Sequence, residues 1–394
     1  MTRPAVAVVG AGVVSPAGRG VEALWSELLR GAPFHEVISH FDAGPAACGI
    51  AGFVPGEPPG GDGDAERLAR LVDAAVDEAL EAGDLAGDTA TVLGTTFTGG
   101  SDIEHAYLAF ARGELPVRHD AALAPAFADR LAAQRGWTGP TLTTAGASAS
   151  GAVAIGTALD LVRSGDTERA VAVGADVVTR ASFFGLNSLR TLHAAGCRPF
   201  SAQRRGIHVA EAAVALVLGP APIDAGLTQP PLGYVLGYGQ SNLGANLARP
   251  DVRGLRVAVE AALQDAGVGP AVIGYVNAHG PGTRHGDAAE LAALEQVFGD
   301  RFGKIPVSSC KGVLGHCQGA AGAIEALATL LCLRHRVIPP TGGVDEIDEQ
   351  WAHLDLPIEP RPAGIGTDVA LSISCGLGGV NTCLVLARAP VVSR

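Results

Sequence analysis

The chain has 394 residues, 47% of them hydrophobic, with 54 glycines, 25 prolines and a net charge of −12, which suits one large or two medium globular domains and excludes a disordered or fibrous chain. Its 28 lysines and arginines form no cluster that would track a phosphate backbone, and no apolar run approaches the ~20 residues of a membrane helix, so neither nucleic acid nor membrane is expected as a partner. Seven cysteines without CxxC spacing suggest neither a disulfide framework nor a zinc ribbon, and a reducing cytoplasm fits them.

The first predicted element is a strand at Val6–Val9, running into GAGVVS (residues 10–15). This stretch begins like a dinucleotide-binding loop but has Ser15 where the third glycine belongs, so a plain structural turn is expected. A strand followed by such a turn also explains the opening segment better than a signal peptide. Residues 35–64, rich in Gly and Pro, read as a surface loop. A helix over Glu66–Ala82 and a strand at Thr91–Leu93 precede GPTLTTAGASASGAVAIG (139–156), which reads as strand, tight turn and helix. That helix, Gly151–Ser164, is apolar nearly all round and hence buried. Ser148 sits near its N-terminus, where free N–H groups and the positive end of the helix dipole can hold an oxyanion or activate a nucleophile. A serine there can equally serve only as a cap.

Further strands are expected at Ala170–Val173, Ala212–Leu218, Ile273–Val276, Ile305–Val307 and Val369–Ile373, with helices at Leu255–Ala266 and Gly319–Arg334. Alternation of this kind predicts an α/β fold with parallel or mixed sheets covered by helices. TLTTAGASASGAVAIGTAL (141–159) and IPVSSCKGVLGHCQGAAGAIEALATL (305–330) read alike, which suggests two duplicated halves, with the boundary in the Pro-rich stretch 219–233.

Five segments together resemble the elongating β-ketoacyl-acyl-carrier-protein synthases. GASASG places Ser148 nine residues after Gly139, where that family has its nucleophilic cysteine in TACxSG. VNAHGPGTRHGDAAE (276–290) resembles VNAHGTSTxxxDxxE, and KGVLGHCQGAAGAIE (311–325) resembles KSxxGHxxGAAGxxE. RPFSAQRRGIHVAEAAVALVL (198–218) and SISCGLGGVNTCLVL (372–386) resemble RPFDxxRxGFxxGEGAxxLVL and SFGFGGTNxxLVL. Departures accompany the matches: the two phenylalanines of the FGFGG turn are Cys375 and Leu377, and the GF pair is Gly206-Ile207.

The resemblance implies a thiolase-like αβαβα sandwich, with residues 1–225 as the half carrying the nucleophile and 226–394 as the half carrying two histidines. By position, His279 and His316 look like the family's paired imidazoles, Lys311 like the lysine ordering the surroundings of His316, and Glu325 like the acid beneath them. The N–H groups of Ser148 and Leu377 are the implied oxyanion donors, and Leu377, Cys375, Ile207 and Thr283 the implied pocket. Serine, unlike a thiolate, needs a base in reach, and His316 is expected in that role, oriented by Lys311 and Glu325, with His279 polarising the substrate carbonyl. No metal and no bound cofactor are implied; the substrate would arrive on the phosphopantetheine of an acyl carrier protein. The activity expected is acyl transfer or condensation through Ser148, in polyketide or fatty-acid-type specialised metabolism. The alternative is a non-acylating partner subunit like the chain-length factors. Thr141–Ala145 matches the strand that the family pairs across a two-fold axis, implying a homodimer, or a heterodimer with a ketosynthase-family subunit.

Overall fold

The structure, a computed structural model, describes residues 4–390 except 45, 47, 58, 60–62, 82, 84, 86, 98–99, 115–123, 222–229, 245 and 365. The division at 225/226 therefore lies outside the described residues. Ten strands carry the architecture: β1 (Val6–Ser15), β2 (Thr89–Gly94), β3 (Thr141–Thr144), β4 (Arg169–Asp176), β5 (Ala212–Pro220), β6 (Gly233–Asn242), β7 (Tyr275–Asn277), β8 (Val307–Ser308), β9 (Val369–Cys375) and β10 (Val380–Ala387). Five helices cover them: α1 (Asp64–Leu80), α2 (Ser150–Ser164), α3 (Val252–Ala266), α4 (Arg284–Phe298) and α5 (Ala321–His335).

The strands run in the order β8-β7-β9-β10-β6-β1-β5-β4-β2-β3, so each half contributes five neighbouring strands in mirrored order. The halves join where β1 and β6 pair antiparallel, Val6 opposite Val235. In each half the strand that leads into a buried helix, β3 before α2 and β8 before α5, lies at the outer end. The duplication suggested by the two similar segments is thus a structural one.

Alternation along β5 builds the layers. Ala212, Val214, Leu216 and Leu218 face a central core containing α2 and α5, while Ala213, Ala215 and Val217 face an outer core with α1. A strand buried on both faces reads as a continuous apolar run, which is why it was legible. On the other side α3 packs against the second half-sheet. The result is the expected five-layered αβαβα sandwich of two similar halves.

The central helices approach closely at their N-termini. A Cβ on Gly151 would lie 2.8 Å from the Ala323 nitrogen, and one on Gly322 would lie 2.7 Å from that of Ala152. Only glycine permits this contact, and it brings the turn before α2 against the turn before α5.

Two local readings are corrected. GAGVVS is neither a turn nor a nucleotide loop but the second half of β1, where a Cβ at Gly10 or Gly12 would collide with the carbonyl of Ala79 or Ala75 in α1. The glycines serve helix-to-strand packing. Residues 35–64 are not simply a surface loop either. Glu36–Val37 and Ile50–Gly52 form a small sheet with Val209–Ala210, and Ile38, Ala51 and Phe53 enter a core with Phe183 and Ile207. The apolar positions there are too few and too scattered for a periodic signal. Among the described residues no helix is long and apolar enough to cross a membrane, and all seven cysteines are free and buried.

Candidate active site

Ser148 occupies a tight turn between β3 and α2. Ala147 before it has φ +50°, a left-handed conformation that costs a residue with a Cβ on the order of 1–2 kcal/mol. The turn is held by Ser150, whose hydroxyl accepts from the Gly146 N–H (2.9 Å) and donates to the Ala147 carbonyl (2.6 Å). Thr96 adds a bond to the same carbonyl (3.0 Å). The N-cap of α2 is Ala149, with no side-chain cap, so Ser148 is not the capping residue. Its half-buried hydroxyl has no hydrogen-bond partner among the described residues.

His279 follows β7 and His316 precedes α5; their rings stand 5.6 Å apart at 82°. The backbone around His279 is fixed by two carboxylates of α4. Glu290 accepts from the N–H groups of His279 (2.7 Å) and Gly280 (2.8 Å), and Asp287 accepts from those of Gly282 (2.9 Å) and Phe200 (2.7 Å). Burial raises both acids, Glu290 to about 8 and Asp287 to about 6.

Lys311 and Glu325, expected beside His316, instead serve His279. The Lys311 ammonium pairs with Glu325, donates to the His279 carbonyl (2.7 Å) and meets His279 Nδ1 at 3.2 Å. Burial lowers the Lys311 pKa, but the charge and hydrogen bond of Glu325 outweigh it and hold it above its usual value. An ammonium can only donate to Nδ1. His316 has a different anchor: its Nδ1 accepts from the Gln318 N–H (3.1 Å).

The network therefore assigns the ring proton of both neutral imidazoles to Nε2, which has no partner in either case among the described residues. Burial and the nearby Lys311 charge push both pKa values down, His279 well below the usual range and His316 to about 3. Neither is an imidazolium at neutral pH.

Ser148, His279 and His316 line one cavity with Ile207, Thr283, Cys375 and Leu377, enclosing about 700 Å³ of empty space including its open mouth. Lys311 and Glu325 lie buried behind it. Gly376 lets the Cys375–Gly379 turn touch the nucleophile turn, because any Cβ there would strike the Gly146 carbonyl. The N–H groups of Ser148 and Leu377 donate to no backbone carbonyl among the described residues. Thr283 also caps α4, its hydroxyl accepting from Gly286 N–H (3.1 Å). Burial drives the Cys375 thiol well above its usual pKa, so it is no substitute nucleophile.

Sequence reading missed several members. Glu290 and Asp287 lay inside a quoted motif, three residues apart and so on one helix face. Leu247–Pro250, on a loop tied to the Cys375–Gly379 turn by Gly378 N–H to Leu247 carbonyl (2.8 Å), also line the cavity and carried no signal. The His208 backbone carbonyl accepts from His316 N–H (3.0 Å), and burial holds the His208 ring neutral, at about 4.

Comparison with known proteins gives two consecutive family matches: residues 3–222 to the beta-ketoacyl synthase N-terminal domain, and residues 232–345 to the beta-ketoacyl synthase C-terminal domain. The chain is 30% identical to 3-oxoacyl-[acyl-carrier-protein] synthase 2 of Vibrio harveyi, over 98% of this chain and 99% of that one. It is 31% identical to the tetracenomycin polyketide synthase ketoacyl synthase alpha subunit of Streptomyces glaucescens, with the same coverage. Among solved structures, the ishigamide ketosynthase/chain length factor superposes with a TM-score of 0.86 at 30% identity, over 98% of this chain and 99% of that one.

Proposed function

Because the chain belongs to the β-ketoacyl synthase family, we propose that it takes an acyl group from a carrier-protein thioester onto Ser148 and passes it to an acceptor. The observation that carries this reading is the convergence on one cavity of a serine hydroxyl and two backbone N–H groups that have no partner among the described residues, together with two Nε2–H imidazoles.

Serine attack needs a base, and the two imidazoles differ in their capacity to become one. The partner of His316 Nδ1 is a backbone N–H, which cannot reverse its polarity, so His316 stays an Nε2–H donor aimed at the substrate carbonyl. The partner of His279 is an ammonium. When Nε2 releases its proton to solvent and Lys311 hands one to Nδ1, His279 presents a free Nε2 lone pair. Ser148 Oγ then attacks the thioester carbonyl carbon while its proton passes to His279 Nε2. The oxyanion rests on the N–H groups of Ser148 and Leu377. The C–S bond breaks, the leaving pantetheine sulfur takes the proton from Nε2, and an oxygen ester remains on Ser148. Such an ester is a weaker electrophile than a thioester, so transfer to a good nucleophile is favoured over condensation with a carbanion. Cys375 and Leu377, in place of two phenylalanines, fit a specialised polyketide or fatty-acid-type substrate.

Edge strand β3, with Leu142 exposed, is the surface through which a second copy or a ketosynthase-family subunit would pair. Peptide mapping after incubation with acyl-carrier thioesters tests the reading: the acyl mass is expected on the peptide containing Ser148, and its absence or presence elsewhere overturns it.

One observation favours a second reading, a non-acylating subunit like a chain-length factor. With both Nε2 atoms protonated, Ser148 has no ready base. A structure similar to this chain is that of a ketosynthase in complex with its chain length factor from Xenorhabdus doucetiae, at 27% identity and a TM-score of 0.83, covering 98% of each chain. Stable pairing with a ketosynthase, together with no loading of Ser148 in the isolated chain, would select it.

A further inference from the structure

Two of the five described non-glycine residues with positive φ flank the site, Ala147 at +50° and Gln318 at +51°. They belong to different halves, yet both are tied to one carboxylate. Asp176 ends β4 and is 1% exposed. It accepts from Thr95 Oγ1 (2.8 Å), from the N–H of Thr96 (3.0 Å to Oδ2) and of Phe97 (3.0 Å), and from the N–H of Gly319 (2.6 Å). Those donors match the lone-pair capacity of an ionised carboxylate, which cannot itself donate.

Each arm ends on a reacting group. On one side Thr96, fixed by Asp176, donates its hydroxyl to the Ala147 carbonyl (3.0 Å), immediately before Ser148. On the other side Gly319 is fixed by Asp176, so the preceding residue, Gln318, holds its left-handed conformation and directs its N–H at His316 Nδ1 (3.1 Å). That N–H sets the His316 tautomer. The Gln318 side-chain amide donates to the carbonyls of Val177 (3.2 Å), next to Asp176, and Ala210 (3.4 Å), and its Oε1 is buried without a partner among the described residues.

We propose that Asp176 is a positioning residue that couples the two halves of the site, holding the Ser148 turn at one end and fixing the His316 tautomer at the other. The acylation part rests on the function proposed above; the tautomer part does not. Asp176 touches no substrate. A merely structural role would leave the His316 ring unchanged, so the decisive readout is the ring itself.

The experiment compares wild type, Asp176→Asn and Thr96→Val by ¹⁵N NMR of ring-labelled histidine and by single-turnover loading from acyl-carrier thioesters. An Asn amide turns a donor toward backbone donors. Asp176→Asn should therefore move the His316 signals away from a pure Nε2–H pattern and slow loading about 10²-fold, the typical cost of displacing a reacting group by ~1 Å. Thr96→Val cuts only the Ser148 arm, so it should slow loading, by about tenfold, with the His316 signals unmoved. Unchanged His316 signals in folded Asp176→Asn overturn the proposal. If that variant does not fold, wild-type loading by Thr96→Val overturns it. If wild type itself does not load, the proposed function fails and the NMR comparison still decides the role of Asp176.

Discussion

The unit carrying Ser148 and the unit carrying His316 share one plan: a short edge strand, a turn containing a left-handed residue, and a buried helix whose glycine meets the other helix. They differ in what the turn leaves unfinished. Before α5, the His316 backbone N–H and carbonyl and its Nδ1 are all engaged, by His208, Ala210 and Gln318. Before α2, the Ser148 hydroxyl and N–H have no partner among the described residues. Both groups face the open cavity, where a ligand can complete them. One copy of the duplicated unit has become a fixed donor and the other an open acceptor of chemistry, which explains why two units of one plan do different work.

The largest effect that can break this comparison is expected at His279, whose Nδ1 partner, the Lys311 ammonium, is able to change protonation. His279→Ala should slow single-turnover loading of Ser148 by ~10²–10⁴-fold, the usual contribution of a general base. His316→Ala, which loses only a carbonyl donor, should cost less. Faster loading by His279→Ala than by His316→Ala reverses the assignment.

A second, smaller effect lies in the pH dependence of loading. The base-competent state of His279 has one proton fewer than the resting network, and Lys311 is held above its usual pKa. Loading should accordingly climb about tenfold per pH unit between roughly pH 7 and 9. A flat profile would mean that Ser148 is activated without that proton loss.

Acid stability sharpens the contrast from the saturated side. His316 titrates at about 3 in the fold against 6.5 ordinarily. Between those values the unfolded chain binds a proton that the fold refuses, so stability rises with pH and is lost as pH falls from about 6.5. His208, at about 4, acts in the same sense. His316→Ala should flatten the dependence of the urea midpoint between pH 4 and 6, removing about 1.4 kcal/mol per pH unit. An unchanged slope would show that the ring is not held neutral.

The layers were legible in the sequence because buried elements are apolar on both faces, as in β5, or nearly all round, as in α2. The strands β6 and β10 were not read as separate elements, since polar residues and glycines interrupt their pattern. In the site, Ser148, His279 and His316 could be located from their motifs, but not their partners. Lys311 lies five residues from His316 in the chain and 32 from His279, and nearness in sequence suggested the wrong ring. The short helical turn Lys311–Leu314 faces the lysine toward His279 instead. Asp176 was invisible for a related reason: a single acid ending an apolar strand becomes meaningful only when loops from both halves deliver N–H groups to it.

The most direct measurement is the intact mass of wild type and Ser148→Ala after incubation with a panel of acyl-carrier-protein thioesters. Wild type should gain the mass of one acyl group and Ser148→Ala none, with both still folded. An adduct that persists in Ser148→Ala, or a wild type that stays unmodified with every thioester at high pH, would contradict the account.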